Sequence, residues 1–158
     1  MNIDVNFDIE NYIYLKLKAY LEENSKFSPK VCNKTPKSLA QFPTVIFKEI
    51  NNIDNLPYRS LDRTQRVYQI TDTIEIYTKD MPIGNTKYAS KVIMSELKYL
   101  VFDFIEMYGF DRTSCDLVDY YDYQVYRMVI TVMCDINNWN KKISWERKQK
   151  YDKTWKRL

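Results

Sequence analysis

Hydrophobic residues recur at helical spacing in two segments of the chain, residues 8–24 and 87–109. In the first segment the apolar positions follow at intervals of mostly three or four residues: Ile9, Ile13, Leu17, Tyr20 and Leu21. The second segment has the same spacing: Ile93, Leu97, Leu100, Phe104 and Tyr108. Side chains spaced in this way share one face of a helix, so the pattern predicts two amphipathic helices. Gly109 follows the second run and is suited to end that helix in a left-handed cap.

Four further segments have the composition or alternation of β-strands. They are residues 43–51, 67–79, 115–122 and 124–136. In the last of them every even position from 126 onward is apolar: Tyr126, Met128, Ile130, Val132, Cys134 and Ile136. Because neighbouring side chains on a strand point to opposite faces, one face of this strand is expected in a core and the other partly exposed. The last two strands are expected to form a hairpin that turns near Asp122–Tyr123.

The order of these elements is α-β-β-α-β-β, which predicts an α+β fold with helices packed on a mostly antiparallel sheet. The connecting segments are rich in proline and polar residues. Residues 25–42 and 52–66 are expected to be surface loops, and residues 80–85 a turn. A chain of 158 residues fits one domain, which we place at residues 1–140.

The strand over residues 67–79 and the residue after it, Asp80, carry three acids in an otherwise alternating pattern. One face has a single polar residue among isoleucines: Ile70, Asp72, Ile74 and Ile76. The other face is polar and aromatic: Thr71, Thr73, Glu75 and Tyr77. The second face is expected to be wet or covered by another subunit. Asp80 follows the strand and is expected to be a turn residue.

The composition restricts the chemistry of the chain. There is no histidine, so Ser–His and Cys–His nucleophiles are excluded for want of the base. Three cysteines without CxxC spacing make a zinc site improbable. Only two glycines are present, and there is no GxGxxG or Walker A motif for a nucleotide. The chain has no run of 18 consecutive apolar residues, so the sequence predicts no membrane span. We therefore expect no catalytic residue, no cofactor site and no metal site.

One enzymatic alternative uses Asp72 and Glu49 as general acid and base, in the manner of sugar-cleaving sites. Such a pair needs two carboxyl groups roughly 5–10 Å apart in a cleft. A strand end, a bulge or an ion pair is the structural alternative for Asp72, since a buried carboxylate is costly without a partner. Arg127 is a partner for Asp72 by charge, but it lies on the wetter face of its strand.

Residues 141–158 form a basic and aromatic C-terminal tail. Eight lysines and arginines and two acids give this tail a net charge of +6. Because the whole chain carries +3, residues 1–140 carry −3. Tyr151, Trp155 and Leu158 would share one stripe of a short helix. Two interpretations stay open: the tail docks on a partner or lies near DNA phosphates, or it packs on its own domain. The docking or DNA-proximal candidates are Lys148, Lys150, Tyr151, Trp155, Lys156 and Arg157.

The order of elements resembles that of the tail-terminator and tail-completion proteins of long-tailed bacteriophages and phage-tail-like particles. The resemblance covers about residues 5–137. It rests on "FPTVIFKEINN", on "YQITDTIEIYTKD", on a helix ending in "MYGFDR", and on the strand "VYRMVITVMCDI" that contains Arg127.

The resemblance implies a structural protein of the virion, assembled in the host bacterial cytoplasm, that forms a ring of usually six copies. The ring ends growth of the tail tube and sheath and presents a surface to a head-side connector protein. DNA passes through it without sequence-specific binding, and neither an enzymatic activity, a cofactor nor a membrane is involved. Subunit-interface candidates are Asp72, Thr73, Glu75, Tyr77 and Arg127. Another head–tail connector or neck protein is the alternative within this class.

Overall fold

The computed structural model describes residues 5–54, 68–120, 122 and 124–135, which contain two helices and seven strands. In chain order they are α1 (Val5–Asn24), β1 (Lys30–Cys32), β2 (Thr44–Asp54), β3 (Tyr68–Thr78), β4 (Met81–Ile83), β5 (Thr86–Tyr88), α2 (Ser90–Met107), β6 (Asp111–Val118) and β7 (Tyr126–Asp135). This is an α+β fold, as predicted. The basic tail and most of the loop predicted after β2 lie outside the described residues.

Both predicted helices are present, and their apolar stripes face the core. On α1, Ile13, Leu17 and Leu21 are fully buried at intervals of four residues. On α2, Ile93 and Leu97 are buried in the same way, together with other apolar side chains further along the helix. Burying an aliphatic side chain of this size contributes about 1.5–3 kcal/mol, so these stripes attach the helices to the sheet. None of the described helices is both long and apolar enough to span a bilayer.

The helix α2 ends at Met107 and is capped by Gly109, the residue that the sequence predicts for this role. This glycine has a φ of +73°, which a residue without a Cβ adopts at no steric cost. Its N–H donates to the carbonyl of Glu106, and the N–H of Phe110 donates to the carbonyl of Ile105. These two bonds are the Schellman arrangement, which satisfies carbonyls that the last turn leaves without helical partners. The cap also directs the chain from the helix straight into β6.

The start of α2 depends on the residues that follow β3. Ala89 occupies the N-cap position and has no side chain able to accept from the first turn. Asp80 takes this role instead, because its Oδ1 accepts the backbone N–H of Ser90 at 2.8 Å. The hydroxyl of Thr78 donates to the carbonyl of Ser90 at 3.0 Å. Asp80 therefore ties the end of β3 to the beginning of α2.

The main sheet has the strand order β1-β2-β3-β7-β6. All neighbouring strands are antiparallel except β1 and β2, which are parallel. The ladder shifts by one residue after Glu49 in β2 and again after Arg112 in β6. The predicted β6–β7 turn is also present around Asp122, whose carboxylate and carbonyl accept the N–H groups of Gln124 and Val125. Tyr123, the other residue of the predicted turn, lies outside the described residues.

The strand predicted at residues 115–122 is displaced: β6 begins at Asp111, directly after the helix cap, and ends at Val118. Two further features of the structure are not predicted by the sequence. The segment read as a loop over residues 25–42 contributes β1, three residues that pair with the start of β2. The segment predicted as a simple turn, residues 80–85, contains β4, which forms a small hairpin with β5. Lys87 and Tyr88 belong to β5, although the sequence predicts that the second helix begins at residue 87. Among the described strands β4 and β5 pair only with each other. All three strands have three residues, too few to show a periodic pattern. Tertiary pairing rather than local sequence therefore defines them.

The two faces of the sheet differ. One face carries Ile74, Ile130 and Val132, which form the main core with the buried stripes of both helices. The other face carries no helix of the described chain. At one end of that face a smaller cluster of Ile46, Tyr77 and Val125 is covered by Leu39, Phe42 and Tyr120. The polar residues of interest lie beside this smaller cluster.

Candidate functional site

Glu75 is the centre of a polar cluster on the sheet face that carries no described helix. Its Oε1 lies 2.7 Å from Nζ of Lys48 on β2, and its Oε2 lies 3.3 Å from Nη2 of Arg127 on β7. Tyr77, two residues along β3, donates its hydroxyl to the same Oε2 at 2.5 Å. One carboxylate therefore links three adjacent strands. We call Lys48, Glu75, Tyr77 and Arg127 the Glu75 cluster.

The register of the sheet brings these side chains together. Lys48 lies opposite Thr73, and Arg127 lies opposite Tyr77. Each cation is therefore one diagonal step from Glu75 and on the same face of the sheet. Long side chains reach across such diagonals. A shift of one residue in either pairing would put the cations on the opposite face.

Glu75 is only 4% exposed, yet it is stabilised in its ionised form. Burial alone raises the pKa of its carboxyl group, because desolvation penalises the charge. The hydrogen bonds from Lys48 and Tyr77, with the charges of Lys48 and Arg127, more than offset this effect. The pKa of Glu75 is therefore held below its ordinary value. Such a carboxylate is a weak proton acceptor near neutral pH, and it suits an ion pair better than general base catalysis.

Tyr77 is shifted in the opposite direction. Burial raises the pKa of its hydroxyl well above the ordinary value, and the hydrogen bond to Glu75 raises it further. Its ring packs edge-on against Tyr120 at a centroid distance of 5.5 Å. The guanidinium of Arg127 lies 5.8 Å from the centre of the same ring. Tyr77 is thus a neutral donor that is fixed by packing on several sides.

The sequence suggested a wet or subunit-covered face for this group, and the structure changes that picture. Thr73, Glu75 and Tyr77 are all buried within the single chain. Near Tyr77 the covering residues come from the loop before β2 and from the β6–β7 connection. These three interface candidates therefore have little surface with which to touch another subunit. They can contribute to a subunit contact only by positioning the exposed residues around them.

Lys48 and Arg127 are the members of the cluster that reach the surface. Their side chains are 34% and 28% exposed. The cluster has two cations against one carboxylate, which leaves one positive charge. The Nε of Arg127 is buried and donates no hydrogen bond to any group in the described structure. The cluster therefore presents positive charge toward the open face of the sheet, and of the interface candidates on this face Arg127 is the best placed to meet a partner.

Asp72 does not belong to the Glu75 cluster. It lies on the core face with the isoleucines of β3 and is 1% exposed. The register places Glu49 directly opposite Asp72, next to the shift in β2. The two residues of the enzymatic alternative are therefore cross-strand neighbours, which the sequence did not predict. Asp72 lines neither the cavity beside Asp80 and Ser90 nor the one beside Gly109.

The three acids first seen together in the sequence have separate roles. Glu75 is an ion-pair centre, Asp72 is buried on the core face, and Asp80 caps α2. The docking candidates in the tail, Lys148 to Arg157, lie outside the described residues, and so does Ile136. Within the described ranges no group of three His, Cys, Asp or Glu side chains is arranged to hold a metal ion.

Sequence reasoning missed Lys48 as the closest partner of Glu75. A signal was present, since both residues lie on strands of clear alternation. Placing them together requires the register between β2 and β3, which depends on the pairing of Phe47 with Ile74 across the core face. Arg127 was assigned to the correct face of β7, but its acidic partner proved to be Glu75.

No protein-family model matches the chain, and no curated protein matches it significantly.

The shifted pKa values predict how stability depends on pH. The folded pKa of Glu75 lies below its ordinary value of 4.5, so its stabilising contribution is complete above that value and is lost as the pH falls through the folded pKa. Tyr77 has a raised pKa, so its contribution is complete below the ordinary value of 10.0 and declines as the pH rises through the higher folded pKa. Urea unfolding at a series of pH values measures both limbs.

The variant Tyr77→Phe separates the two limbs. It removes the alkaline limb that Tyr77 causes and leaves an acid limb from Glu75, because Lys48 and Arg127 still pair with the carboxylate. An alkaline limb of unchanged size in this variant would contradict the assignment to Tyr77.

Proposed function

We propose that this chain is a structural protein of the bacteriophage neck that caps the tail tube as a ring. The ring ends tail growth and provides the surface that joins the head. The proposal rests on the resemblance in element order described above, and on one structural observation, the exposed lateral side formed by β6 and α2. It places the protein in the virion after assembly in the bacterial cytoplasm.

The strand β6 is the edge of the sheet on this side and has eight residues. Among the described strands it pairs only with β7, so the backbone groups on its outer side have no strand partner there. Its Leu117 is 62% exposed, and on the helix α2 Tyr99 is 59% exposed. A long open edge that carries an exposed apolar side chain is a surface on which another chain can add. The opposite edge, β1, has only three residues.

Two unlike edges suit a head-to-tail contact. When one surface of a subunit binds a different surface of the next, repetition of the contact closes a ring if the rotation between subunits allows it. A stable contact of this kind buries roughly 800 Å² on each partner. The partners in the proposal are further copies of the chain, expected to be six, with the tail tube and sheath on one side and the head-side connector on the other. DNA passes through the lumen without sequence-specific contacts.

The Glu75 cluster contributes rigidity in this proposal. Its ion pairs and hydrogen bond hold β2, β3 and β7 in one register. A subunit that contacts a neighbour on each side needs a sheet whose strands keep a fixed register. The role proposed for these residues is structural, with no catalytic residue and no cofactor.

The alternatives in the same class are other head–tail connector or neck proteins, which share the need to form rings. An acid-dependent enzyme is the alternative of another class, and the register of Glu49 and Asp72 is the observation in its favour. The burial of Asp72, which is 1% exposed, weighs against it, since paired catalytic carboxylates must reach their substrate.

The mass of the purified protein in solution tests the proposal. We expect a discrete oligomer of about six subunits by light scattering or native mass spectrometry, and ring-shaped particles in negative stain. Addition of purified tail tubes supplies the second readout, since a terminator binds one end of the tube. A protein that stays monomeric at high concentration and does not bind tube ends would overturn the proposal.

A further inference from the structure

A groove of about 480 Å³ lies where α2 ends and β6 begins. Its floor is apolar, formed by Phe102, Ile105 and Phe110, and it opens beside the Gly109 cap. The floor follows from the Schellman cap, since Phe110 is the residue that the cap places next to Ile105. The groove is therefore built around the turn that ends α2.

The rim of the groove is charged. Glu106 and Asp111 are exposed acids at its edge, and Arg112 lies at the same edge. The guanidinium of Arg112 lies 4.1 Å from the centre of the Phe102 ring, so its charge is held against the aromatic face. An occupant that combines apolar or aromatic side chains with positive charge would match this surface. The aromatic parts would meet the floor, and the cations would meet the two carboxylates.

The C-terminal segment of the chain begins next to this groove. Met133 on β7 pairs with Asp111 on the groove rim, and β7 ends two residues later at Asp135. A further 23 residues follow. Since each extended residue spans up to about 3.5 Å, even the first few of them can return to the groove.

The composition of that segment matches the groove. All three tryptophans of the protein, Trp139, Trp145 and Trp155, lie after β7. Residues 141–158 carry a net charge of +6, whereas residues 1–140 carry −3. We propose that the groove between α2 and β6 is the docking site of the chain's own C-terminal segment, residues 139–158. Its aromatic side chains pack on Phe102 and Phe110, and its lysines and arginines face Glu106 and Asp111.

The chain's own segment is a better occupant than that of a neighbouring copy in the isolated protein. A tethered segment acts at an effective concentration in the millimolar range, far above that of a second copy in dilute solution. The inference does not depend on the proposed ring, since docking within one chain needs no other subunit.

Tryptophan fluorescence of the full-length protein tests this inference, because every tryptophan lies in the segment concerned. We expect blue-shifted emission and weak quenching by acrylamide, compared with the same protein in urea. In the double variant Glu106→Lys, Asp111→Lys the ratio of docked to released segment is expected to fall about tenfold, since two attractive contacts become repulsive. The emission then shifts to the red and quenching increases.

A matched control changes two exposed acids that lie on β6 or just after it but outside the groove, Asp116→Lys with Asp119→Lys. It alters the net charge by the same amount and is expected to leave the fluorescence unchanged. Far-UV circular dichroism verifies the fold of both variants. If the groove variant fails to fold, Glu106→Gln offers the same comparison with a smaller effect in the same direction.

Three results would overturn the proposal. The first is quenching in the unaltered protein equal to that in urea, which means a segment that is not docked. The second is an equal response of the groove and control variants, which means attraction without a specific site. The third is protection that disappears on dilution, which means that the occupant belongs to another copy. Protection that is independent of concentration and lost only in the groove variant supports docking within the chain.

Discussion

The Glu75→Gln variant is expected to lower the free energy of unfolding by about 2–3 kcal/mol. The substitution keeps the shape of the side chain but removes the charge that Lys48 and Arg127 share. Removing one member of a fully buried pair costs about 3–5 kcal/mol, and the partial exposure of both cations reduces this because water can solvate them. Urea unfolding at neutral pH, with the slope of the transition checked for constancy, measures the loss.

Glu23→Gln provides the matched control for this prediction. Glu23 lies on the exposed side of α1, and the same chemical change is expected to alter stability by less than about 0.5 kcal/mol there. A loss of the same small size in the Glu75→Gln variant would mean that the cluster contributes no more than a surface ion pair. The role of the cluster in holding three strands would then be wrong.

The Leu117→Arg variant is expected to abolish the ring and leave a folded monomer. Leu117 is 62% exposed, so an arginine has room in the single chain and the fold is preserved. In the proposed contact the same position is covered by the next subunit, and burying an unpaired charge there costs several kcal/mol at every interface of the ring. Light scattering before and after the substitution measures the effect, and circular dichroism verifies the fold.

Leu15→Arg on α1 is the control for this variant. Leu15 is 52% exposed and lies on the helix away from β6, so it tests the effect of an added surface arginine by itself. We expect the control to assemble as the unaltered chain does. Rings of full size from the Leu117→Arg variant would show that the β6 edge is not the contact, and the assembly surface would then have to be sought elsewhere.

The sequence by itself determined the elements that have a strong local pattern. Both helices repeat an apolar stripe over at least three turns, and the end of α2 carries its own signal in Gly109. The alternation along β7 correctly separated core residues such as Ile130 from the face that holds Arg127. Helix periodicity and strand alternation are properties of consecutive residues, so they are visible before folding.

Only the tertiary structure decided which residues meet. The strand β1 has no pattern of its own and exists because β2 offers it an edge. Asp80 caps α2 from ten residues away, and the acid that Arg127 pairs with lies 52 residues before it. Such partners depend on the register between strands, and the register depends on how the whole core packs. The alternation of β3 separated its acids by face, but their partners across β2, β3 and β7 were fixed only when the sheet assembled.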